Sequence, residues 1–499
     1  MKLKRTALRT LIALFFAMVG LIYAVAWLAP SIGLYHDDAV YLVTAKGILA
    51  GHGYVIDSLP TPIPQTKYPP LFPLALAAFA AVSQNPQWLK ALPLLCAALW
   101  LFVTYKLLRK MGADGYSALL VTGITAASPA VVFVSTNLLS EPLFGLLVAA
   151  CLLALLDDRI FLAGLLAGLA TITRTAGLPL IAACALTLII RARFVRAVTF
   201  TATAILIVAP WLAWSMAQNV HDAYYSGGNY ASSSILTSLA LSEKAAVLAT
   251  NVLFLFSGPF SLLTGINDIY AASFTFSLLV LCLWKRRQTL PDIFLLLYCL
   301  MLLLWPGPPQ RFLAPVLPLI LWMFWRSIRL IPRQELVFAI GLVVALLPLG
   351  FSLNRLSVTR QTGQFPTSAQ RPNDWIELNK LFSSIRANTP PDAILAANLD
   401  PLFYLNTGRK AVRGFVPNGY KTFYETHGQV VTPDQLAANL TQNGVSFLAL
   451  TPDRDFAESP AFHKSVEALE RGGVLVPVDT PGLAPEYRLL RTSGTQPAR

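Results

Sequence analysis

The sequence predicts a polytopic α-helical membrane protein, about eleven spans plus interfacial helices, with a small C-terminal α/β soluble domain. Of its 499 residues 55% are hydrophobic and only 13% are charged, whereas a soluble protein would carry roughly a quarter charged residues. Mean hydropathy is +0.59, and apolar runs close to the ~20 residues needed to cross a hydrocarbon core recur along the chain. After Leu353 the composition changes, and short strand and helix signals replace the long runs.

The first run, Leu11 to Pro30, follows Lys2, Lys4, Arg5 and Arg9. It is long, and no convincing small-residue cleavage pattern precedes Pro30, so it reads as a retained signal-anchor helix. Basic clusters then orient the spans by the positive-inside rule. They are Lys106/Arg109/Lys110, Arg191/Arg193/Arg196, Lys285–Arg287 and Arg326/Arg329/Arg333. With these and the N-terminus cytoplasmic, spans fall near 11–30, 89–108, 116–134, 142–156, 160–173, 177–190, 195–216, 269–284, 291–305, 312–328 and 336–353. Leu71–Val82 and Ala245–Leu262 would upset that sidedness as full crossings and are expected to lie at the outer interface.

Residues 1–353 thus form the membrane domain, with an outer loop over 31–88, a Ser/Thr/Gln/Arg-rich linker over 354–371, and a periplasmic α/β domain over 372–499. In that last domain "AILAAN" (Ala393–Asn398) and "VSFLAL" (Val445–Leu450) read as strands. Thr432 caps a helix with Pro433 at its first position and Gly444 beyond its end, and Ser459 caps another. No nucleophile, metal or phosphate motif occurs there, so a covering or acceptor-docking role is expected.

The net charge of +13 is spread over clusters that topology explains, which argues against a nucleic-acid partner. Cys96, Cys151, Cys184, Cys282 and Cys299 all lie inside apolar runs without paired spacing, so neither a disulfide framework nor a zinc site is indicated.

The chemistry-bearing residues gather on the outer side. "YHDDAVYLVTAKGILAGHGY" (Tyr35–Tyr54) opens a helix on the acid pair Asp37–Asp38, and Lys67 precedes Pro69–Pro70. "STNLLSEPLFGLL" (Ser135–Leu147) sets Glu141 at the mouth of a helix, and "GPPQRFLAPVLP" (Gly307–Pro318) does the same for Arg311. This order resembles the GT-C superfamily of polyprenyl-phosphate-sugar glycosyltransferases, in particular relatives of the protein O-mannosyltransferases and the lipid A aminoarabinose transferase. The matching elements are Asp-acid-Ala-x-Tyr, Lys-x-Pro-Pro, an acid before Pro, and Gln-Arg-aromatic-Leu-x-Pro.

The resemblance implies a GT-C fold at the outer face of a bacterial inner membrane. It implies a polyprenyl-phosphate sugar donor, inverting transfer, and an acceptor that is lipid, protein or polysaccharide. No cofactor is certain, and a divalent cation is compatible with the family. A phosphate leaving group is already a stable anion, so the second carboxylic acid that a glycosidase needs is dispensable. One base and a set of phosphate-binding cations then suffice. By the family's motif, Asp37 is the base, Asp38 and Glu141 are accompanying acids, Lys67 and Arg311 clamp the phosphate, and Tyr41 lies among the substrate contacts.

Each assignment has a plainer rival. Asp37 can be a helix-start acid on the dipole, and Asp38 stands where Glu is commoner, so it orients a hydroxyl, binds a metal or begins the helix. Glu141 can be a solvated helix-end carboxylate and Lys67 a snorkelling lysine. Arg174, in "TITRTAGLPL", is a candidate for the carrier phosphate, with a structural role in a tight hairpin favoured. His36, His52 and His221 read as hydrogen-bonded loop histidines before a metal site, and Tyr224, Tyr225 and Tyr230 as an aromatic belt before a sugar platform. A secondary transporter or lipid flippase is the rival function. It is disfavoured by ionisable groups confined to helix ends on one side and by the lack of an internal repeat.

Overall fold

The computed structural model describes residues 2–218, 220, 225, 240–266, 270, 272–273, 275–276, 289–305, 307–329, 331–366, 374–414, 431–452 and 460–493. The expected span at 269–284, Cys282, Lys285–Arg287, His221, Tyr224, Tyr230 and the Ser459 cap fall largely or wholly outside these.

The membrane portion contains α1 (Lys2–Leu28), α4 (Pro86–Lys110), α10 (Phe194–Ala217), α11 (Leu241–Thr264) and α14 (Gln334–Thr362) as long helices. Among the described residues six helices are long and apolar enough to cross a membrane, the sixth running from a 3-10 turn at Gln310–Val316 into α13 (Leu317–Ile328). The expected span at 116–134 is broken. α5 (Gly115–Ala127) and α6 (Pro129–Thr136) meet at 65°. Pro129 has no amide hydrogen to continue the helix, and Ser128 restarts the chain by accepting from Val131 N and donating to Leu262 O at 2.6 Å.

Four expected spans are shorter helices: α7 (Glu141–Leu156), α8 (Ile160–Thr171), α9 (Leu178–Ile190) and α12 (Leu290–Leu303), of 12 to 16 residues. At ~1.5 Å per residue they reach roughly 18–24 Å, less than a full hydrocarbon core. Small residues bring α8 against α10. A Cβ on Gly164 would sit 2.6 Å from Phe200 O and one on Gly168 2.8 Å from Ile207 Cβ, a glycine pair four apart that lets two membrane helices touch backbone to side chain.

The interfacial assignment of Ala245–Leu262 does not hold. α11 is 24 residues long, Leu262 and Leu263 are buried, and Asn251 Nδ2 donates to the carbonyls of Leu303 and Trp305 at 3.0 and 2.9 Å. A sidedness argument counts charges and cannot see that the helix is tied into the bundle by a buried amide. The other run, α3 (Leu71–Val82), is 12 residues and packs on α2 (Asp37–Leu49), as befits a helix in the first loop. The short strands β1 (Val55–Ile56) and β2 (Ile63–Pro64) pair between those two helices.

The helix α14 runs on to Thr362, into the stretch whose composition suggests a linker, and stops at Gly363 with a left-handed φ of 71°. The C-terminal region then builds α15 (Trp375–Asn388), β3 (Leu395–Ala396), α16 (Asp400–Thr407), β4 (Ala411–Val412), α17 (Pro433–Gln442), β5 (Phe447–Leu450), α18 (Pro460–Arg471), β6 (Leu475–Pro477) and β7 (Arg488–Thr492). The strands form one sheet in the order β4-β3-β5-β7-β6, parallel from β4 to β5 and antiparallel beyond. Thr432 and Gln435 form the cap expected at α17.

This sheet does not stand apart. Ala411 N donates to Ser58 O at 2.9 Å, so the first loop covers the β4 edge. One buried apolar cluster contains Val40, Tyr41 and Phe72 of the first loop together with Leu402, Phe403 and Phe447 of the C-terminal region.

Candidate active site

The site grows from the turn before α2. Gly33 has φ 83° and His36 φ 61°, a left-handed conformation that costs about 1 kcal/mol or more for a residue with a Cβ. Asp38 compensates. It is 1% exposed, and its carboxylate accepts from Gly33 N at 2.8 Å, Tyr35 N at 2.9 Å and Ala39 N at 3.0 Å. Burial lifts its pKa to about 7 against the pull of those amides. Asp38 thus faces the loop backbone and is not part of the cleft lining, the geometry of an acid that begins the helix.

Asp37, one residue earlier, points the other way. Its Oδ1 accepts a 2.6 Å hydrogen bond from the Tyr68 hydroxyl, and its Oδ2 lies 2.5 Å from Arg311 Nη2. Burial works to raise its pKa, but Arg311, the Tyr68 hydrogen bond and Lys67 outweigh it and hold Asp37 below the usual carboxylate value. The carboxylate is therefore ionised at neutral pH.

Arg311 is shared. Its Nε is 2.8 Å from Glu141 Oε1, and Arg174 Nη1 reaches the same oxygen at 3.2 Å. Arg174 Nη1 also donates to Ser140 Oγ at 2.9 Å, and the Tyr41 hydroxyl lies 3.1 Å from that oxygen. Glu141 is 0% exposed at the first position of α7, whose dipole favours an acid there. It is an internal counterion for two arginines and does not reach the cleft.

An open cleft lies in front of this array. Its lining includes the polar side chains of Asp37, Tyr41, Lys67, Tyr68 and Arg174 and the apolar ones of Met301, Leu302, Trp305 and Phe312. Arg174 stacks over Phe312, guanidinium carbon to ring centroid 5.0 Å. Arg174, read first as a structural hairpin residue, lines the cleft, whereas Arg311, read as a clamp, bridges Asp37 and Glu141.

Sequence reasoning brought Asp37, Lys67, Glu141 and Arg311 to one place but missed Tyr68, Ser140 and Trp305. Tyr68 was visible as the x of Lys-x-Pro-Pro; Ser140 and Trp305 carry no sequence signal beyond their neighbours. His36 and His52 do not meet at Asp37. His36 Nε2 faces the Tyr225 hydroxyl at 3.3 Å, and His52 pairs with Asp57 at 3.3 Å. Among the described residues no three His, Cys, Asp or Glu side chains are grouped to hold a metal ion.

Residues 66–306 match the family model of glycosyltransferase family 87, a range holding Lys67, Glu141 and Arg174 but not Asp37 or Arg311. Among solved structures, ArnT from Cupriavidus metallidurans bound to undecaprenyl phosphate matches with a TM-score of 0.50 at 12% identity, over 97% of this chain and 98% of that one. The arabinofuranosyltransferase AftD from Mycobacteria gives 0.46 at 14% identity, over 98% of this chain and 40% of its own. No curated protein sequence matches the chain. The family match speaks for the enzyme reading over the transporter one, and the helical architecture with its small terminal sheet is that of ArnT. The chain is a multi-pass membrane glycosyltransferase with the fold of ArnT, similar over residues 66–306 to glycosyltransferase family 87.

Proposed function

We propose that the enzyme moves a sugar from a polyprenyl-phosphate carrier to an acceptor hydroxyl at the outer face of a bacterial inner membrane. The observation that carries the reading is the mixed lining of the cleft, where Asp37, Lys67 and Arg174 stand together with Met301, Leu302, Trp305 and Phe312. An amphiphile with a phosphate head and an apolar tail complements such a surface. The undecaprenyl phosphate held by ArnT supports the same donor class.

In this reading Lys67 and Arg174 bind the phosphate, the arginine offering a planar fork. Asp37 accepts the proton of the acceptor hydroxyl. The acceptor oxygen forms a bond to the anomeric carbon on the face opposite the phosphate. The carbon–oxygen bond to the phosphate breaks, its electron pair stays on the phosphate oxygen, and configuration inverts. Lys67 and Arg174 balance the charge gained by the departing phosphate. Arg311 and Tyr68 aim the Asp37 carboxylate, and Glu141 holds both arginines.

Asp37→Asn tests the assignment, because it keeps the shape and removes the base. Purified variant in liposomes supplied with polyprenyl-phosphate sugars is expected to lose transfer while still binding undecaprenyl phosphate. Near-normal turnover would sink the base assignment.

A further inference from the structure

A buried polar cluster joins the first loop to the C-terminal domain, and the transfer chemistry does not use it. Asp400, the first residue of α16, is 0% exposed and its Oδ2 accepts a 2.6 Å hydrogen bond from the Tyr225 hydroxyl. Its Oδ1 lies 3.5 Å from Arg413 Nε and 3.7 Å from His36 Nε2. The Tyr225 ring stacks on the His36 ring with centroids 6.0 Å apart. Burial, Arg413 and Lys67 together hold the His36 pKa well below its ordinary value, so that ring is neutral packing and not a third charge. On the cleft side, Lys67 Nζ stands 5.8 Å from the Tyr225 ring centroid and 5.6 Å from that of Tyr68.

We propose that Asp400 and Tyr225 are positioning residues. The C-terminal domain, through Asp400, holds the Tyr225 ring against Lys67 and so sets where that ammonium presents its charge to the donor phosphate. The inference rests on the donor site proposed above. A lysine is a point charge on a flexible four-carbon stem, and two aromatic faces narrow the volume its ammonium explores. Tyr225 is 2% exposed, so its hydroxyl needs a protein acceptor, and the acceptor it has belongs to the C-terminal domain. Arg413, from the same domain, balances the buried carboxylate. The same helix also seats the turn before Asp37, since a Cβ on Gly33 would lie 3.1 Å from Leu402 Cδ1. A domain with no reacting group of its own thereby becomes part of the donor site.

The test uses the full-length protein in detergent, titrated with undecaprenyl phosphate and with undecaprenol, which lacks the phosphate. Tyr225→Phe, which frees the ring from Asp400, is expected to weaken binding of the phosphate several-fold through a less well placed Lys67, and to leave undecaprenol binding unchanged. Asp400→Asn keeps an oxygen for the Tyr225 hydroxyl and is expected to stay nearer to wild type than Asp400→Ala. In a Lys67→Ala background Tyr225→Phe should add nothing. Equal weakening of both lipids, no weakening of either, or full additivity with Lys67→Ala would each overturn the proposal. If Asp400→Ala does not fold, Tyr225→Phe, which loses only a hydroxyl, decides. A Lys67→Ala protein whose preference for the phosphate is undiminished overturns Lys67 as a phosphate ligand and this inference with it. A weakened preference in Lys67→Ala with none in Tyr225→Phe overturns this inference alone.

Discussion

Replacing Glu141 by Gln separates a counterion from a catalytic acid. In the resting site Asp37 and Glu141 carry two negative charges against the three positive charges of Arg311, Arg174 and Lys67, so the substitution raises the local surplus from one to two. Glu141 Oε1 is 2.8 Å from Arg311 Nε and 3.2 Å from Arg174 Nη1, and its side chain is 1% exposed, so water cannot replace what is lost. At an effective dielectric near 20 each contact represents about 5 kcal/mol of gross attraction. Much of that offsets desolvation, and removing one partner of a buried pair leaves a net loss of about 3–5 kcal/mol. Glu141→Gln is therefore expected to lower the thermal midpoint, read by fluorescence-detected size exclusion, while binding undecaprenyl phosphate more tightly than wild type. An added anion relieves a cationic surplus, so destabilisation and tighter binding should arrive together. A variant with wild-type thermal stability, unchanged binding and no turnover would refute this reasoning and return Glu141 to the reacting groups.

Arg174→Ala should weaken undecaprenyl phosphate binding about tenfold or more without altering undecaprenol binding; Arg311→Ala, which lowers the local surplus from one to zero, should weaken it less and reduce turnover more, because Asp37 loses its aim. The reverse pattern would restore the arginines to their sequence-expected roles. Asp38 has its pKa raised to about 7 in the fold from an ordinary 3.8. Its proton stabilises the fold fully below that ordinary value, and the benefit is lost as pH rises through about 7. The thermal midpoint of wild type minus that of Asp38→Asn should accordingly shrink between acid and neutral pH, and a constant difference would contradict it. Gly164→Val would drive a side chain into Phe200 O, 2.6 Å from where its Cβ would sit, and overpacking of this kind costs about 1–3 kcal/mol. An unchanged thermal midpoint would show that α8 and α10 are free to part.

The membrane class and most helices were legible because apolar runs and their basic flanks are one-dimensional signals. α2, α3 and α17 follow from an acid pair, a Pro–Pro start and a Thr–Pro cap within a few residues of their beginnings. α11 was not legible, since Asn251 looks like one polar residue in an interfacial helix until Leu303 and Trp305 present it with carbonyls. Strands β4, β6 and β7 also escaped. A two-residue strand such as Ala411–Val412 has no period, and it is a strand because β3 and the first loop supply its partners.

At the site, Asp37 and Lys67 were legible because their motif lies in one loop, where nearness in sequence becomes nearness in space. The division between Asp37 and Asp38 was half legible. Adjacent residues at a helix start diverge, but which one turns inward depends on the left-handed turn at His36, and no residue preference announces that. That Arg174 lines the cleft while Arg311 bridges two carboxylates could not be read at all. In sequence both are single cations at helix ends, and a cation counts as available for a phosphate until its counterion is known. Glu141 supplies that counterion to both and the Phe312 ring lies near both guanidiniums, yet Arg311 has a second carboxylate in Asp37 while Arg174 lines the open cleft. Availability here is set by how many carboxylates surround a guanidinium. A donor phosphate would therefore meet Arg174 before Arg311, because reaching Arg311 requires displacing Asp37, the group the reaction needs.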